Sequence, residues 1–379
     1  MDERFTKKIL FPIIRAGLDI ASGSFPAPDE NDLEKLYFVA KTQSIAPIIR
    51  EGLRKSGAGG EGYYDKIDKL CLNEIYQFAY RDLGLEAVCS ALETACVPYV
   101  PLKGSVIRDL YPEQWMRTSC DIDILIHEED LDKAERSICT DTGFKRIKRN
   151  YHDVLYTDKT ISLELHFSIM EAMDNIDALL CGVWDHCKRN GQTSRFDMSA
   201  EFLIFHTVAH MVYHITHGGL GIRPYIDLWL LQNKTAFDKD EVVSMCSSCG
   251  VLTFYESATH LGDVWLSGAE HTGVTRALEE LCFGGGVFGS VSNSASAGIR
   301  EKGKLGFVVR RLFPPKSIME QQYPTLKKKS ALLPFFYAKR LAQGIGKKRK
   351  KALGELKTIK RTDTDDINSM DELLKKLEL

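Results

Sequence analysis

The sequence predicts an α+β protein in which a small mixed sheet is flanked by N-terminal and C-terminal helical regions. Three observations carry that expectation. Hydrophobic residues recur with a helical period up to residue 95 and again from 198 to 286. At Val97 the pattern changes to short runs rich in β-branched and aromatic residues. Within that block, Asp121-Ile122-Asp123-Ile124-Leu125-Ile126 alternates polar and apolar and then turns wholly apolar, as a central strand does.

In the region 1–95, residues 5–20 have helical spacing, with Ile9, Leu10, Ile13, Ile14 and Leu18 on one side. A loop over 22–28 separates them from a second helix at 30–54. After a break at 57–62, an amphipathic run covers 64–95, with Ile75, Phe78, Ala79, Leu83, Leu85, Val88 and Leu92 as its core face.

The block 96–172 reads as a compact α+β unit with four to five strands. A strand at 97–102 ends at Lys103-Gly104-Ser105, and a short helix follows at 105–116. The strand 121–126, a helix at 128–142, and strands at 154–156 and 161–167 complete it. A helical region spans 173–286. Residues 287–343 begin with a Gly-, Ser- and Ala-rich loop and continue through Pro314-Pro315, Tyr323-Pro324 and Leu333-Pro334 as an extended segment with short helices. A charged tail, 344–379, closes with a capping box of Ser369 and Glu372 ahead of Leu373, Leu374 and Leu377.

Composition narrows the function classes. The 379 residues include 50 basic and 52 acidic ones, so the whole chain is not a polyanion binder. The hydrophobic share of 44% is that of a soluble globular protein. No apolar run approaches the ~18–20 residues of a membrane span. Arg15 and Asp19 interrupt the first apolar stretch, which does not read as a secretory signal. The ten cysteines are scattered, and Cys246 with Cys249 lacks a second such pair to complete a zinc site. Reduced thiols in a cytoplasmic protein are the expectation.

The chemistry-bearing residues lie in the central block. Along a strand, Asp121 and Asp123 point to one face while Ile122 and Ile124 point to the other. Adjacent carboxylates repel and raise each other's pKa unless a cation sits between them. Oxygen-only ligands suit Mg²⁺. Glu164 and His166 repeat the pattern on a second strand. If the two strands are neighbours, three carboxylates can hold two Mg²⁺ ions about 4 Å apart. Lys103-Gly104-Ser105 joins a strand to a helix, where backbone amides and the Ser105 hydroxyl can meet a triphosphate.

Together these residues resemble the DNA polymerase beta superfamily of nucleotidyltransferases: Leu102-Lys103-Gly104-Ser105, then Asp121-Ile122-Asp123, then Glu164. More narrowly, the chain resembles a largely uncharacterised branch of bacterial nucleotidyltransferases, with Arg117 four residues before Asp121 and with Glu164 and His166 in the expected order. The likeness extends through Arg223 and Asp227 to Tyr323-Pro324 and Arg340. It implies a polymerase-beta-like domain that uses a nucleoside triphosphate and two Mg²⁺ ions. Asp121, Asp123 and Glu164 would be the catalytic metal ligands. Lys103, Gly104, Ser105 and Arg117 would hold the nucleotide's phosphates, with a plain ion pair as the alternative for Arg117.

Two features stay open at this level. His206, His210 and His214 recur every four residues. They read as a packed face against the catalytic block, as a site for nucleotide or acceptor, or as a zinc site. Arg223 and Asp227 could pair along a helix or reach the nucleotide. With His166, these residues are the candidates for an acceptor site or a supporting shell. Residues 339–361 carry ten basic residues against one acidic, including Lys347-Lys348-Arg349-Lys350-Lys351. They form either a solvated tail or a site for an anionic partner. The acceptor is unidentified, and near-neutral charge favours a small molecule, peptide or protein over nucleic acid. The competing readings are a nucleotide sensor without turnover and a protein built on a histidine metal site.

Overall fold

The computed structural model describes residues 2–20, 27–57, 63–150, 152–171, 173–284 and 364–379, together with short pieces between 316 and 339. The loop expected from 287, Pro314-Pro315, Tyr323-Pro324, Arg340 and the basic cluster at 347–351 lie outside the described residues.

Helix α1 (Phe11–Gly17) continues a π-helical turn at Thr6–Leu10. The expected helix over 30–54 is two helices, α2 (Glu30–Thr42) and α3 (Ala46–Ser56). The break has a local cause. Pro47 cannot donate to the residue four before it, and it is accommodated in the first turn of α3. Ser44 takes up the turn with a left-handed φ of 51°. Helix α4 (Tyr63–Thr94) follows.

The central block holds β1 (Tyr99–Pro101), a single helical turn α5 (Gly104–Ile107), β2 (Asp121–Ile126), α6 (Leu131–Asp141), β3 (Lys145–Arg149), β4 (Asp153–Thr157) and β5 (Ser162–His166). The five strands form one mixed sheet in the order β1-β2-β5-β4-β3, with β2 and β5 parallel and the other pairs antiparallel. Strand β3 is absent from the sequence reading for a physical reason. As an edge strand with every residue exposed, it shows no burial alternation, and its lysines and arginines guard the open edge.

One sheet face is apolar: Ile122, Ile124, Ile126, Leu163, Leu165 and Tyr156 pack with Leu85, Val88 and Leu92 of α4 and with Ala134 and Ile138 of α6. The opposite face carries the polar residues. It is covered by the C-terminal helices, which follow α7 (Asp174–Leu180) and a small hairpin, β6 (Cys187–Arg189) and β7 (Phe196–Met198). These helices are α8 (Ala200–His217), α9 (Arg223–Lys234), α10 (Lys239–Ser248), α11 (Leu252–Leu266) and α12 (Gly273–Phe283). The N- and C-terminal helices share one continuous core, in which Phe11 stacks on Trp265 at 4.9 Å.

Helix α13 (Thr364–Lys376) buries Leu373 and Leu374, and Leu377 just after it is buried as well. It starts five residues before Ser369, so Ser369 is interior to the helix and not its cap. Among the described residues, no helix is long and apolar enough to cross a membrane. All ten cysteines are free thiols.

Helices α1 and α3 cross at backbone contact. A Cβ on Gly52 would lie 2.0 Å from the Ile13 carbonyl oxygen, and one on Gly17 2.2 Å from that of Ile48. Backbone cannot step aside as a side chain can, so Gly52→Ala should destabilise the protein by at least about 1–3 kcal/mol in urea unfolding. An unchanged unfolding midpoint would show that this crossing is looser than the contact distances imply.

Candidate active site

Strand register assembles the polar face. Asp123 on β2 lies directly beside Glu164 on β5, Asp121 beside Ser162, and Leu125 beside His166. Period-2 alternation then puts Asp121, Asp123, Glu164 and His166 on one face. Asp123 is the centre of the group. Its Oδ1 accepts from Lys103 Nζ at 3.1 Å and lies 2.9 Å from His166 Nε2, which is 3.5 Å from Glu164 Oε2. Asp121 is held separately: Ser119 Oγ donates to its Oδ1 at 3.2 Å.

The electrostatics follow from these contacts. Burial would raise the Asp123 carboxyl, but Lys103 and His166 outweigh it and hold it well below the usual carboxylate range. Asp121 is raised, first by burial and then by the charge of Asp123. Glu164 is lowered, chiefly by its hydrogen bond with His166. Burial works against protonated His166, but Asp123 and Glu164 overcome it and push its pKa up to about 9.

Lys103 reaches Asp123 from a strained backbone, with φ 48° and ψ −120° on a residue that is not glycine. Such conformations cost on the order of 1–3 kcal/mol and persist where neighbours fix them. Here Leu102 N–H donates to the Asp123 carbonyl at 3.0 Å, and the Lys103 carbonyl accepts from Val106 and Ile107.

The helix expected over 105–116 is only the single turn α5, followed by 3-10 turns at Arg108–Leu110 and Gln114–Met116. In the free protein the N–H groups of Ser105, Val106 and Ile107 are donated within this turn, to the Leu102 and Lys103 carbonyls. The positive charge comes from side chains instead. Ser105 lines a shallow groove with Arg81, Arg108, Arg117 and Ser119, and this groove meets the main cleft at Gly104 and Asp121. One Arg81 guanidinium nitrogen and Arg108 Nε are buried there without a hydrogen-bond partner among the described residues.

Sequence reasoning missed Arg81, although a signal exists. The buried stripe of α4 runs Ile67, Cys71, Leu85, Val88, Leu92, and its period calls for apolar residues at 74 and 81, where Glu74 and Arg81 stand. Burial raises the Glu74 carboxyl and lowers Arg81. By the same geometry, Leu83 is not a core residue: it is 66% exposed.

The main cleft, about 250 Å³, lies between Lys103, Gly104, Asp121 and Asp123 on the sheet side and α8 and α9 on the other. His206, His210 and His214 all line it. Glu171 Oε1 accepts from His210 Nδ1 at 2.6 Å, and His210 Nε2 faces His214 Nε2 at 3.0 Å. Burial lowers His206 and His210 to about 3 and His214 to about 4, so the stripe presents neutral imidazoles. Among the described residues, the three-residue group whose ligand atoms fit one ion is Asp123, Glu164 and His166, and not the stripe.

Arg117 and Asp227 form a buried pair. Arg117 Nε donates to both Asp227 oxygens at 2.8 and 2.9 Å, a terminal nitrogen lies 2.7 Å from Oδ2, and Tyr111 donates its hydroxyl to Oδ1 at 2.7 Å. Arg223 instead donates to the Thr118 carbonyl and hydroxyl. Asp227 thus bonds back to the central block.

With this geometry established, comparison with known proteins adds one finding. The sequence model of a family described as uncharacterised nucleotidyltransferase matches residues 29–267. No curated protein and no solved structure matches.

Proposed function

The chain belongs to the uncharacterised nucleotidyltransferase family, and we propose from that premise that it is a Mg²⁺-dependent enzyme related to the polymerase beta superfamily. It moves a nucleoside monophosphate from a nucleoside triphosphate to an acceptor. The observation that carries this reading is Asp123 on β2 set directly beside Glu164 on β5, with Asp121 on the same face and both aspartates lining the main cleft.

Carboxylate oxygens are the donors that suit Mg²⁺, so Asp121, Asp123 and Glu164 would hold two such ions. When bound, the metal neutralises charge on the phosphates and acidifies the acceptor hydroxyl. The chain's own residues do the rest. The acceptor oxygen forms its bond to the α-phosphorus as the bond to the β-phosphate oxygen breaks, and pyrophosphate leaves. Glu164, partly exposed beside His166, takes the acceptor proton. Lys103 beside Asp123 balances charge at the transferring group. Arg81, Arg108 and Ser105 receive the leaving pyrophosphate across Gly104.

The acceptor enters against α8, where the neutral histidines present donors and acceptors without net charge. A hydroxyl- or phosphate-bearing small molecule, peptide or protein fits that wall better than a nucleic acid. The cytoplasm is the proposed location.

The test is incubation of the full chain with Mg²⁺, α-labelled nucleoside triphosphates and pooled acceptors, followed by mass analysis and pyrophosphate detection. A labelled adduct that requires the divalent ion is expected. Nucleotide binding without any turnover across the pool would favour a sensor instead. Arg81→Ala should raise the KM for the triphosphate by about tenfold, the value of one charge-assisted hydrogen bond, with little change for the acceptor. The unpartnered nitrogen has no bond to lose in the free protein, and relief of a buried charge offsets the lost attraction to Glu74, so stability should change little. An unchanged KM would remove Arg81 from the phosphate path.

A further inference from the structure

We propose that His166 is itself a metal ligand, so that the inner ion of this centre sits on one imidazole nitrogen and two carboxylates and is a first-row transition ion, for which Mn²⁺ is the spectroscopic probe, in preference to Mg²⁺. The inference deepens the metal-dependent reading above and rests on it.

Geometry is the first support. The ligand atoms of Asp123, Glu164 and His166 lie within 4.8 Å of one another. Two ligands at right angles on an ion with bonds of about 2.1 Å are about 3.0 Å apart. His166 Nε2 lies 2.9 Å from the Asp123 oxygen and 3.5 Å from the Glu164 oxygen. The imidazole nitrogen is therefore already at the edge length of a coordination polyhedron, with no rearrangement of the strands.

Positioning is the second support. Glu164 and His166 are two apart on β5, so they share a face, and β2 places Asp123 directly across from Glu164. Strand β4 backs β5 on its other side, and the His166 ring lies nearly parallel to that of His152, with centroids 5.8 Å apart. His166 and Asp123 are 5% and 4% exposed, so solvent reaches the site from the Glu164 side, whose side chain is 32% exposed.

The hydrogen bonding is the third support. His166 uses only its Nε2 side. Its Nδ1 is buried with no hydrogen-bond partner among the described residues. The Nδ1 lacks the outer partner that a metal-ligating histidine usually has, so the support lies in Nε2 alone. Here the whole bonding capacity of the ring is turned toward two carboxylates, and the Nε2 proton occupies the place of a cation between them. Asp121 is outside this group, held by Ser119.

Donor chemistry then sets the preference over Mg²⁺, and Mn²⁺, the weakest binder of the first-row series, is the most demanding probe of it. Mg²⁺ favours all-oxygen octahedra with several waters, whereas a set containing imidazole shifts affinity toward first-row transition ions. Asp121, with the triphosphate oxygens, is left to hold the outer Mg²⁺.

The test is electron spin-echo spectroscopy of the full chain loaded with Mn²⁺, together with calorimetric titration of Mn²⁺ and Mg²⁺. Nitrogen modulation from a coordinated imidazole is expected in the wild type. It should persist in His210→Gln and vanish in His166→Gln, with Mn²⁺ affinity falling by at least about tenfold and Mg²⁺ affinity by much less. If His166→Gln does not fold, specific ¹⁵N labelling of histidine in the wild type replaces it, and the modulation must change with the isotope. Bound Mn²⁺ without nitrogen modulation would overturn His166 as a ligand and leave the carboxylate centre standing. Modulation lost in His210→Gln would assign the nitrogen to the stripe. Failure to bind either ion, with or without nucleotide, would remove the metal-dependent reading together with this inference.

Discussion

Asp123→Asn should abolish nucleotide transfer, lowering the rate by ~10²-fold or more, because it removes the charge shared by the metal site and Lys103. Its effect on the free protein is the more diagnostic half. Three carboxylates viewed as crowded anions imply that losing one charge relieves repulsion and leaves the apo-protein slightly more stable. The contacts reverse that sign. Asp123 is an anion held between Lys103 Nζ and His166 Nε2. An amide in its place leaves two partly or fully buried donors facing a neutral group. Apo stability should therefore fall, by on the order of 1–3 kcal/mol. Wild type should also gain stability from Mn²⁺ or Mg²⁺ with a nucleoside triphosphate, since these bind only the native state, and the variant should lose most of that gain. Unfolding curves with and without ligand, paired with the transfer assay, decide the matter. A variant that keeps both the ligand shift and the activity would reduce these acids to ordinary polar residues.

What was legible in the sequence was whatever depends on local period. Asp121 with Asp123, and Glu164 with His166, share a face because strand side chains alternate. The sharp apolar complement, Ile122, Ile124, Leu163 and Leu165, marked which face was core. The helical N-terminal residues Ile9, Leu10, Ile13, Ile14 and Leu18 were equally plain and are all fully buried. What escaped depends on tertiary neighbours. Strand β3 shows no alternation because neither face is covered. Arg81 lines the groove beside the cleft through the packing of α4, and its place in a buried stripe was a detectable irregularity. The partition between Asp121 and the Asp123–Glu164–His166 group is set by Ser119 and by strand register, neither of which spacing alone determines.

The open choice for Arg117 between ion pair and phosphate ligand leads to the second large effect, a loss of about 3–5 kcal/mol for Asp227→Asn. The two residues are 110 positions apart in sequence, and their side chains are 10% and 4% exposed. An isolated guanidinium in that setting has no solvent to turn to. Burial works against its charge, and Asp227 is what outweighs it. Tyr111 adds a hydroxyl bond to the same carboxylate, so an asparagine disturbs two partners at once. The pair ties the central block to α9, and its loss should loosen the cleft wall that carries Arg223. Replacing both charges, as in Arg117→Met with Asp227→Leu, together with Tyr111→Phe so that no buried hydroxyl is orphaned, should recover most of the stability, because an apolar cluster avoids the desolvation that the ions suffer. The same variants separate the two roles of Arg117. As an ion-pair partner alone, Arg117 is dispensable to phosphate binding, and the triple variant, once refolded to wild-type stability, keeps its KM for the triphosphate. If stability returns but that KM rises by tenfold or more, Arg117 also meets the nucleotide, from the side that borders Gly104.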